Sequence, residues 1–471
     1  MVFSSLFFLC NFLPVCLGLY YLIKDRTYRN WLLIIASLLF YAWGEPVWIT
    51  LLLISTAFSY MGALLIEKHR GKIKGKIALT ASVATNLLIL GFFKYSGFLI
   101  SNINSIFQTN FQLINIGLPI GISFYTFKLI SYVADVYRGE SEAQKSPFKL
   151  LLYVSLFHQL MAGPITRYKE ISEAIDNRVE TFKDFNTGVS RFIIGLGKKV
   201  ILAGTSGKAV EIFMGGDYTR LPFLGAWFGI LMFALQLYFD FSGYSDMAIG
   251  LGRMFGFKYD ENFNYPYISK SASEFWRRWH ISLGSFFKDY VYIPLGGNRR
   301  HQIRNLFIVW TLTGLWHGAN WNFVIWGLYY FVLLVLEKAF LLKLLEKIPG
   351  IFSRVYLWLA VLVGWVFFYH NDIGQAFQFL GIMFGPEAKS ISSPELSIHF
   401  WNNAVVMIIS LIGCTPLITG IINKLTGERD RGKVVIFIEK YARPAFNIAV
   451  LILSVIFLIG QSYSPFMYFK F

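Results

Sequence analysis

Leu315-Trp316-His317-Gly318-Ala319-Asn320-Trp321-Asn322 lies inside a stretch, Asn305 to Leu336, that contains no Lys, Arg, Asp or Glu. As one straight helix that stretch would measure about 48 Å at 1.5 Å per residue, long for a single membrane crossing unless strongly tilted. Gly314 and Gly318 offer a break beside His317. Broken helices persist at membrane depth only where they line a cavity or are buried in protein, so a polar tunnel at His317 is expected. Hydrocarbon imposes a cost of roughly a few kcal/mol on an ionisable side chain, so a histidine there is paired, wetted or used. The plain alternative is a structural histidine bonded to a backbone carbonyl. The intramembrane cost and the nearby Asn320 and Asn322 favour function.

The rest of the chain agrees with a membrane reading. Its 471 residues are 55% hydrophobic, 18% aromatic and only 15% charged, with a mean hydropathy of +0.53. These values lie far outside the soluble globular range. Each crossing needs roughly 20 apolar residues, and the charge-poor stretches accommodate about ten to twelve transmembrane or re-entrant helices. Runs such as Trp31 to Phe40 and Ile448 to Ile459 are continuous rather than alternating, which favours an all-α protein over a β-barrel. No internal repeat or low-complexity linker divides it, so residues 1–471 are read as one membrane domain.

The formal net charge of +16 is spread between apolar spans instead of forming one stripe or tail, which argues against nucleic acid as a partner. The positive-inside rule accounts for it. Lys24, Arg26 and Arg29 follow the first apolar segment, and Lys68, Arg70, Lys72, Lys74 and Lys76 follow the third. Both loops are expected in the cytoplasm, with the N-terminus outside and the first segment retained as a helix. The segment from Tyr95 to Asn115 is expected at the outer surface. Cys10, Cys16 and Cys414 form no CxxC pair and read as small buried hydrophobes.

A more polar region, about residues 240–336, is expected to be re-entrant or interfacial and to carry the chemistry. Its run Phe275-Trp276-Arg277-Arg278-Trp279-His280-Ile281-Ser282-Leu283-Gly284 supplies a second histidine framed by arginines and tryptophans. If Trp276 to Phe287 were one helix, Trp276, Trp279, His280, Leu283 and Phe287 would share a face, with Arg277, Arg278 and Lys288 off it. His280 would then face protein and the arginines headgroups or an anionic ligand; His280 could equally serve only to orient the segment. Asp240 and Asp246, at the end of a long apolar run, are read as paired with Arg or His rather than catalytic. His158 is read as a satisfied core residue, and His69, His301, His370 and His399 as loop or span-end residues. Gly250-x-Gly252-x-x-x-Gly256 and Gly204-Thr205-Ser206-Gly207-Lys208 miss the spacing of nucleotide-binding loops, and no GxSxG, HExxH or HxxxxD pattern occurs.

Taken together, Met161-Ala162-Gly163-Pro164-Ile165-Thr166-Arg167, the run Tyr238 to Asp246, the run Phe275 to Leu283, the run Asp289 to Arg299 and the run Trp316 to Trp326 resemble the membrane-bound O-acyltransferase family, most closely its bacterial polysaccharide branch. The resemblance covers nearly the full length. It implies helices around a central tunnel, through which an acyl group passes from cytoplasmic acetyl-CoA or a carrier-protein thioester toward hydroxyls of an exported polysaccharide, alginate or another. The family's intramembrane catalytic histidine falls on His317 and its second motif histidine on His280. Arg277, Arg278, Arg299, Arg300 and Arg304 are candidates for the phosphates of CoA or for anionic headgroups, with Trp316 and Asn320 beside the donor. The resemblance further implies no permanently bound cofactor, a cell-membrane location and an SGNH-type extracytoplasmic acetyltransferase as partner. No metal site is expected. The alternatives are D-alanyl transfer to teichoic acid and a transporter or flippase.

Overall fold

The structure is a computed structural model that describes residues 1–113, 117–418, 420–421 and 437–460. Asn115 and the terminal run Phe466 to Phe471 lie outside the described residues. Every regular element among the described residues is helical, with no strand, as the unbroken apolar runs require: in hydrocarbon a helix satisfies its own backbone. Among the described residues six helices are long and apolar enough to cross a membrane: Ile49–Lys68, Ile73–Phe107, Phe223–Met254, Gly350–Tyr369, Pro394–Gly413 and Lys440–Ile459. Shorter apolar helices cover Phe8–Leu22 and Ile373–Met383. Ile448, Ile452, Ile456 and Ile459 are more than half exposed. Such an apolar stripe is stable where lipid, not water, covers it.

The chain forms two compact units. The first comprises residues 1–192, 247–260 and 285–294. Within it the Ile49–Lys68 and Ile73–Phe107 helices pack through small residues, and Asn86 Nδ2 donates to Ser59 Oγ at 3.0 Å. Without a hydrophobic drive between helices in lipid, close approach and interhelical hydrogen bonds supply the attraction. The loop after the Tyr168–Asn177 helix is fastened by charge. Glu180 accepts from Tyr20 OH at 2.5 Å and pairs with Arg26 at 2.7 Å and Arg29 at 2.8 Å. Buried Arg178 donates to Tyr20 OH, to Asn30 Oδ1 and to the carbonyls of Phe255 and Ile175. Burial alone would raise the Glu180 carboxyl, but hydrogen bonds from Arg26 and Tyr20 and the charges of Arg26 and Arg29 bring it down to about 2. His158 is fully buried, packed on Phe157, Phe255, Phe257 and Tyr259, as a core residue is, but it is not satisfied as expected: its Nδ1 lies 3.4 Å from Tyr259 OH and its Nε2 has no hydrogen-bond partner among the described residues.

The second unit comprises residues 193–246, 261–284 and 295–471. The Asn305–Leu336 stretch forms a helical hairpin, Gln302–His317 and Trp321–Leu336, broken at Gly318-Ala319-Asn320. The first arm is about 24 Å long at 1.5 Å per residue, short of the ~30 Å hydrocarbon core, whereas the second runs on in helical backbone through Glu337–Leu341 and Leu342–Lys347. The arms meet through Gly314 and Gly327, where a Cβ would collide with the Phe323 and Trp310 carbonyl oxygens. Gly314 therefore serves close packing, and the break falls at Gly318 alone. Asn320 starts the second arm, its Oδ1 accepting from Trp321 N–H at 2.7 Å. The expected single helix from Trp276 to Phe287 is two: Ala272–Arg278 and a second beginning at Ile281. His280 between them takes a left-handed backbone, φ +46°, which a continuous helix cannot contain.

Asp240 and Asp246 are paired, as expected: Lys199 bonds Asp240, and Lys198 lies 2.7 Å from Asp246. The lysines come from a neighbouring segment that the local sequence around the aspartates does not reveal.

Candidate active site

Local folding carries both histidines into the interior of the second unit. His317 is the last residue of its helix and is 4% exposed. Its ring meets Trp316 at 5.0 Å, Trp326 at 4.9 Å and Phe368 at 5.2 Å between centroids. His280 is 2% exposed, set edge-on to Phe241 at 4.6 Å and against Trp316 at 5.7 Å. The Trp316 indole thus touches both imidazoles, and the structure brings His280, Trp316 and His317 together from segments far apart in sequence.

The backbone that presents His280 is anchored twice. Ser271 Oγ caps the Ala272–Arg278 helix by accepting from Glu274 N–H at 3.1 Å. Glu337, fully buried, accepts from Ala272 N–H at 2.6 Å, Ser273 N–H at 2.8 Å and Tyr356 OH at 3.0 Å. Because Glu337 directly follows the Trp321–Leu336 helix, one carboxylate joins the His280 segment to the hairpin that bears His317. A helix N-terminus favours such a negative charge. Asn262, 1% exposed, holds the far side: its Oδ1 lies 3.1 Å from His280 Nδ1, and its backbone oxygen accepts from Ile281 N–H at 2.9 Å.

The arginines are placed differently. Arg277, Arg299 and Arg300 are exposed. Arg278 pairs with Glu274 at 3.0 Å and donates to the Asn264 carbonyl at 3.1 Å. Arg304 Nη2 donates to the Leu295 carbonyl at 3.1 Å. Buried Asn305 donates to the carbonyls of Gly297 at 3.0 Å and Arg300 at 2.7 Å, so the turn that projects Arg299 and Arg300 is fixed to a helix start. Asn320, besides its cap, donates to the Asn371 carbonyl at 3.1 Å; its amide serves the loop. Asn322 is fully buried and donates to the Phe367 carbonyl at 3.2 Å. No group of three or more His, Cys, Asp or Glu side chains that could hold a metal occurs among the described residues.

Sequence reasoning missed Asn262 and Glu337. Asn262 sits in Asp260-Glu261-Asn262-Phe263-Asn264, which reads as an ordinary polar loop, and Glu337 as the first charge after an apolar run. Neither carries a spacing signal, because each finds its partners through the fold.

A buried imidazole pair in a helical membrane scaffold is suited to moving a proton away from bulk water. Residues 1–372 match the family described as MBOAT, membrane-bound O-acyltransferase family, and the chain belongs to it. It is a membrane O-acyltransferase, as its sequence motifs indicated. Among its relatives are a probable alginate O-acetylase AlgI of Azotobacter vinelandii, 39% identical with 100% of each chain covered, and a peptidoglycan O-acetyltransferase of Helicobacter pylori, 34% identical over 83% of this chain and 81% of that one. A teichoic acid D-alanyltransferase of Bacillus subtilis is 30% identical over 51% of this chain and 62% of its own.

Proposed function

We propose that this enzyme takes the acetyl group from cytoplasmic acetyl-CoA and moves it through a tunnel in the membrane toward hydroxyls of an exported polysaccharide. The observation that carries the reading is the pair of buried histidines on either side of Trp316. His317 is the base. Its neutral imidazole takes the proton of an attacking hydroxyl while the oxygen bonds the thioester carbonyl carbon; the C–S bond then breaks, and the proton passes to the departing CoA thiolate. His280 is the second catalytic group. Exclusion of bulk water protects the thioester from hydrolysis. Cys10, Cys16 and Cys414 all lie outside the site segments, so transfer goes straight to a hydroxyl, either of the polymer or of a serine on an SGNH-type extracytoplasmic partner. Arg277, Arg299 and Arg300, all exposed, suit the phosphates of CoA, for which guanidinium is a good partner.

The names of the relatives support a polysaccharide acceptor: alginate in one case, peptidoglycan in another. The D-alanyl relative matches about half of the chain, which favours acetyl over D-alanyl. The basic loops at Lys24–Arg29 and Lys68–Lys76 support a cell-membrane orientation with the N-terminus outside.

The test is consumption of radiolabelled acetyl-CoA by purified protein in proteoliposomes, wild type against His317→Ala at matched folding. Loss of transfer in the variant is expected. Equal rates would remove His317 as base, and flipping of polymer without any acyl donor would favour a transporter.

A further inference from the structure

We infer that Asn262 locks His280 in one tautomer, with hydrogen on Nδ1 and a bare Nε2, so that His280 accepts a hydrogen bond from the substrate and does not donate one to a developing oxyanion. This deepens the acyltransferase reading and rests on it. The chain of reasoning starts from a group whose role is not adjustable. The backbone N–H of Ser282 lies 3.2 Å from the Asn262 side-chain oxygen, and a backbone N–H can only donate. The amide atom facing it must therefore be Oδ1; the flipped amide would set two donors against each other. Ser282 Oγ donates to the same oxygen at 2.9 Å, and Asn262 Nδ2 donates to Ser245 Oγ at 3.2 Å, which fixes the orientation from the other end.

His280 Nδ1 faces that same Oδ1 at 3.1 Å. Two acceptors would repel at this distance, so Nδ1 carries the hydrogen. In a neutral imidazole the other nitrogen then holds a lone pair. His280 Nε2 is buried and has no hydrogen-bond partner among the described residues. A buried polar atom left unsatisfied costs about 1–3 kcal/mol, and native proteins keep such atoms where something else completes them. The ring cannot turn to find a partner elsewhere, being held by Phe241 and Trp316. The backbone beneath it, at φ +46°, is held by the bond from Ile281 N–H to the Asn262 carbonyl. Asn262 thus grips residues 280 to 282 through its backbone and its side chain, and is a positioning residue for His280.

The ligand group that meets Nε2 is an O–H or N–H donor. Two sources offer one: the hydroxyl of the acceptor and an amide N–H of the pantetheine arm of acetyl-CoA. Oxyanion stabilisation falls to other donors.

Asn262→Leu and Asn262→Asp, each compared with wild type in acetyl-CoA turnover across pH, test the inference. Leucine removes the acceptor and frees the tautomer; kcat is expected to fall about 10²-fold, with no rescue at any pH. Aspartate keeps an oxygen toward Nδ1–H and restores turnover, but its charge favours the imidazolium, so the acid limb of the rate profile moves to higher pH. A wild-type kcat and profile in Asn262→Leu overturns the inference. So does equal loss in both variants while each unfolds at the wild-type temperature and still binds acetyl-CoA. A fall in kcat at unchanged acetyl-CoA affinity assigns Nε2 to the acceptor hydroxyl, and weakened acetyl-CoA binding assigns it to the donor. A readout independent of turnover separates this inference from the functional reading: the pH dependence of His280 carbethoxylation by diethyl pyrocarbonate, located by peptide mass. Its limb is expected at higher pH in Asn262→Asp than in wild type, and identical limbs overturn the inference even if no acetyl transfer is found.

Discussion

Two buried polar regions, one in each unit, solve the cost of burial in opposite ways. Around Glu180 the groups are charged and closed on one another: Arg26, Arg29 and Tyr20 all reach the one carboxylate, and Arg178 fills the adjacent carbonyls. Around His280 and His317 the walls are aromatic, and the one amide that grips His280 is uncharged. A closed ionic knot holds a loop but has no capacity left to react. A neutral imidazole with a nitrogen kept bare can take a proton, and aromatic walls hold it without adding a competing charge. The knot sets charge against charge, whereas His280 Nε2 is left without a hydrogen-bond partner among the described residues.

That contrast can be broken most deeply at His317. His317→Ala is expected to lower acetyl transfer by about 10²- to 10⁴-fold with little change in unfolding temperature, as measured by turnover in proteoliposomes. A collapse of stability with intact specific activity in the surviving fraction would place His317 on the structural side instead. Next is Lys199→Met, which removes an ammonium that bonds buried Asp240. Breaking a buried ion pair by removing one member costs about 3–5 kcal/mol, so detergent-solubilised protein should unfold at clearly lower temperature or denaturant. Glu337→Ala probes the join between the two histidine segments. Leaving Ala272 N–H, Ser273 N–H and Tyr356 OH without their acceptor should cost about 3 kcal/mol and reduce kcat as well, because His280 loses its anchor. Unchanged kcat in a less stable protein would show that the anchor does not reach the site.

Smaller effects are expected at the surface. Arg299→Ala with Arg300→Ala should raise the KM for acetyl-CoA by about fivefold, in line with roughly 1 kcal/mol for exposed charge pairs, with the difference shrinking at high salt. An unaltered KM would return both residues to headgroup anchoring. The knot's titration is tested across pH. The Glu180 carboxyl lies below its ordinary 4.5, at about 2. Its contribution to stability is therefore complete above pH 4.5 and is lost as pH falls toward 2. Unfolding curves of wild type and Glu180→Gln should differ at neutral pH and converge near pH 2. Curves that stay parallel through this window would deny the knot its charge.

Several features were legible without coordinates because they depend on one segment at a time. The charge-free stretch from Asn305 to Leu336 announced a membrane segment too long for one straight crossing, Gly318 marked the break beside His317, and Asp240 and Asp246 were recognisable as paired because a lone buried carboxylate is too costly. The motif set was enough to name the family. The number of full spans was less legible: six helices among the described residues reach spanning length, while the first hairpin arm stops at about 24 Å at the break after His317, since apolar composition measures what can enter a membrane and not where a helix breaks.

What sequence alone determined is therefore the solvent, the helical class, the acyltransferase family and the two histidines, all set by residue type and local pattern. Only the tertiary structure decided that Trp316 touches both imidazoles, that Lys198 and Lys199 reach the aspartates, that His280 stands at a break instead of on a helix face, and that Asn262 and Glu337 hold it there. The reason is physical. A hydrogen bond is directional over about 3 Å, and Asn262 meets His280, or Glu337 meets Ala272, only after distant parts of the chain have been packed.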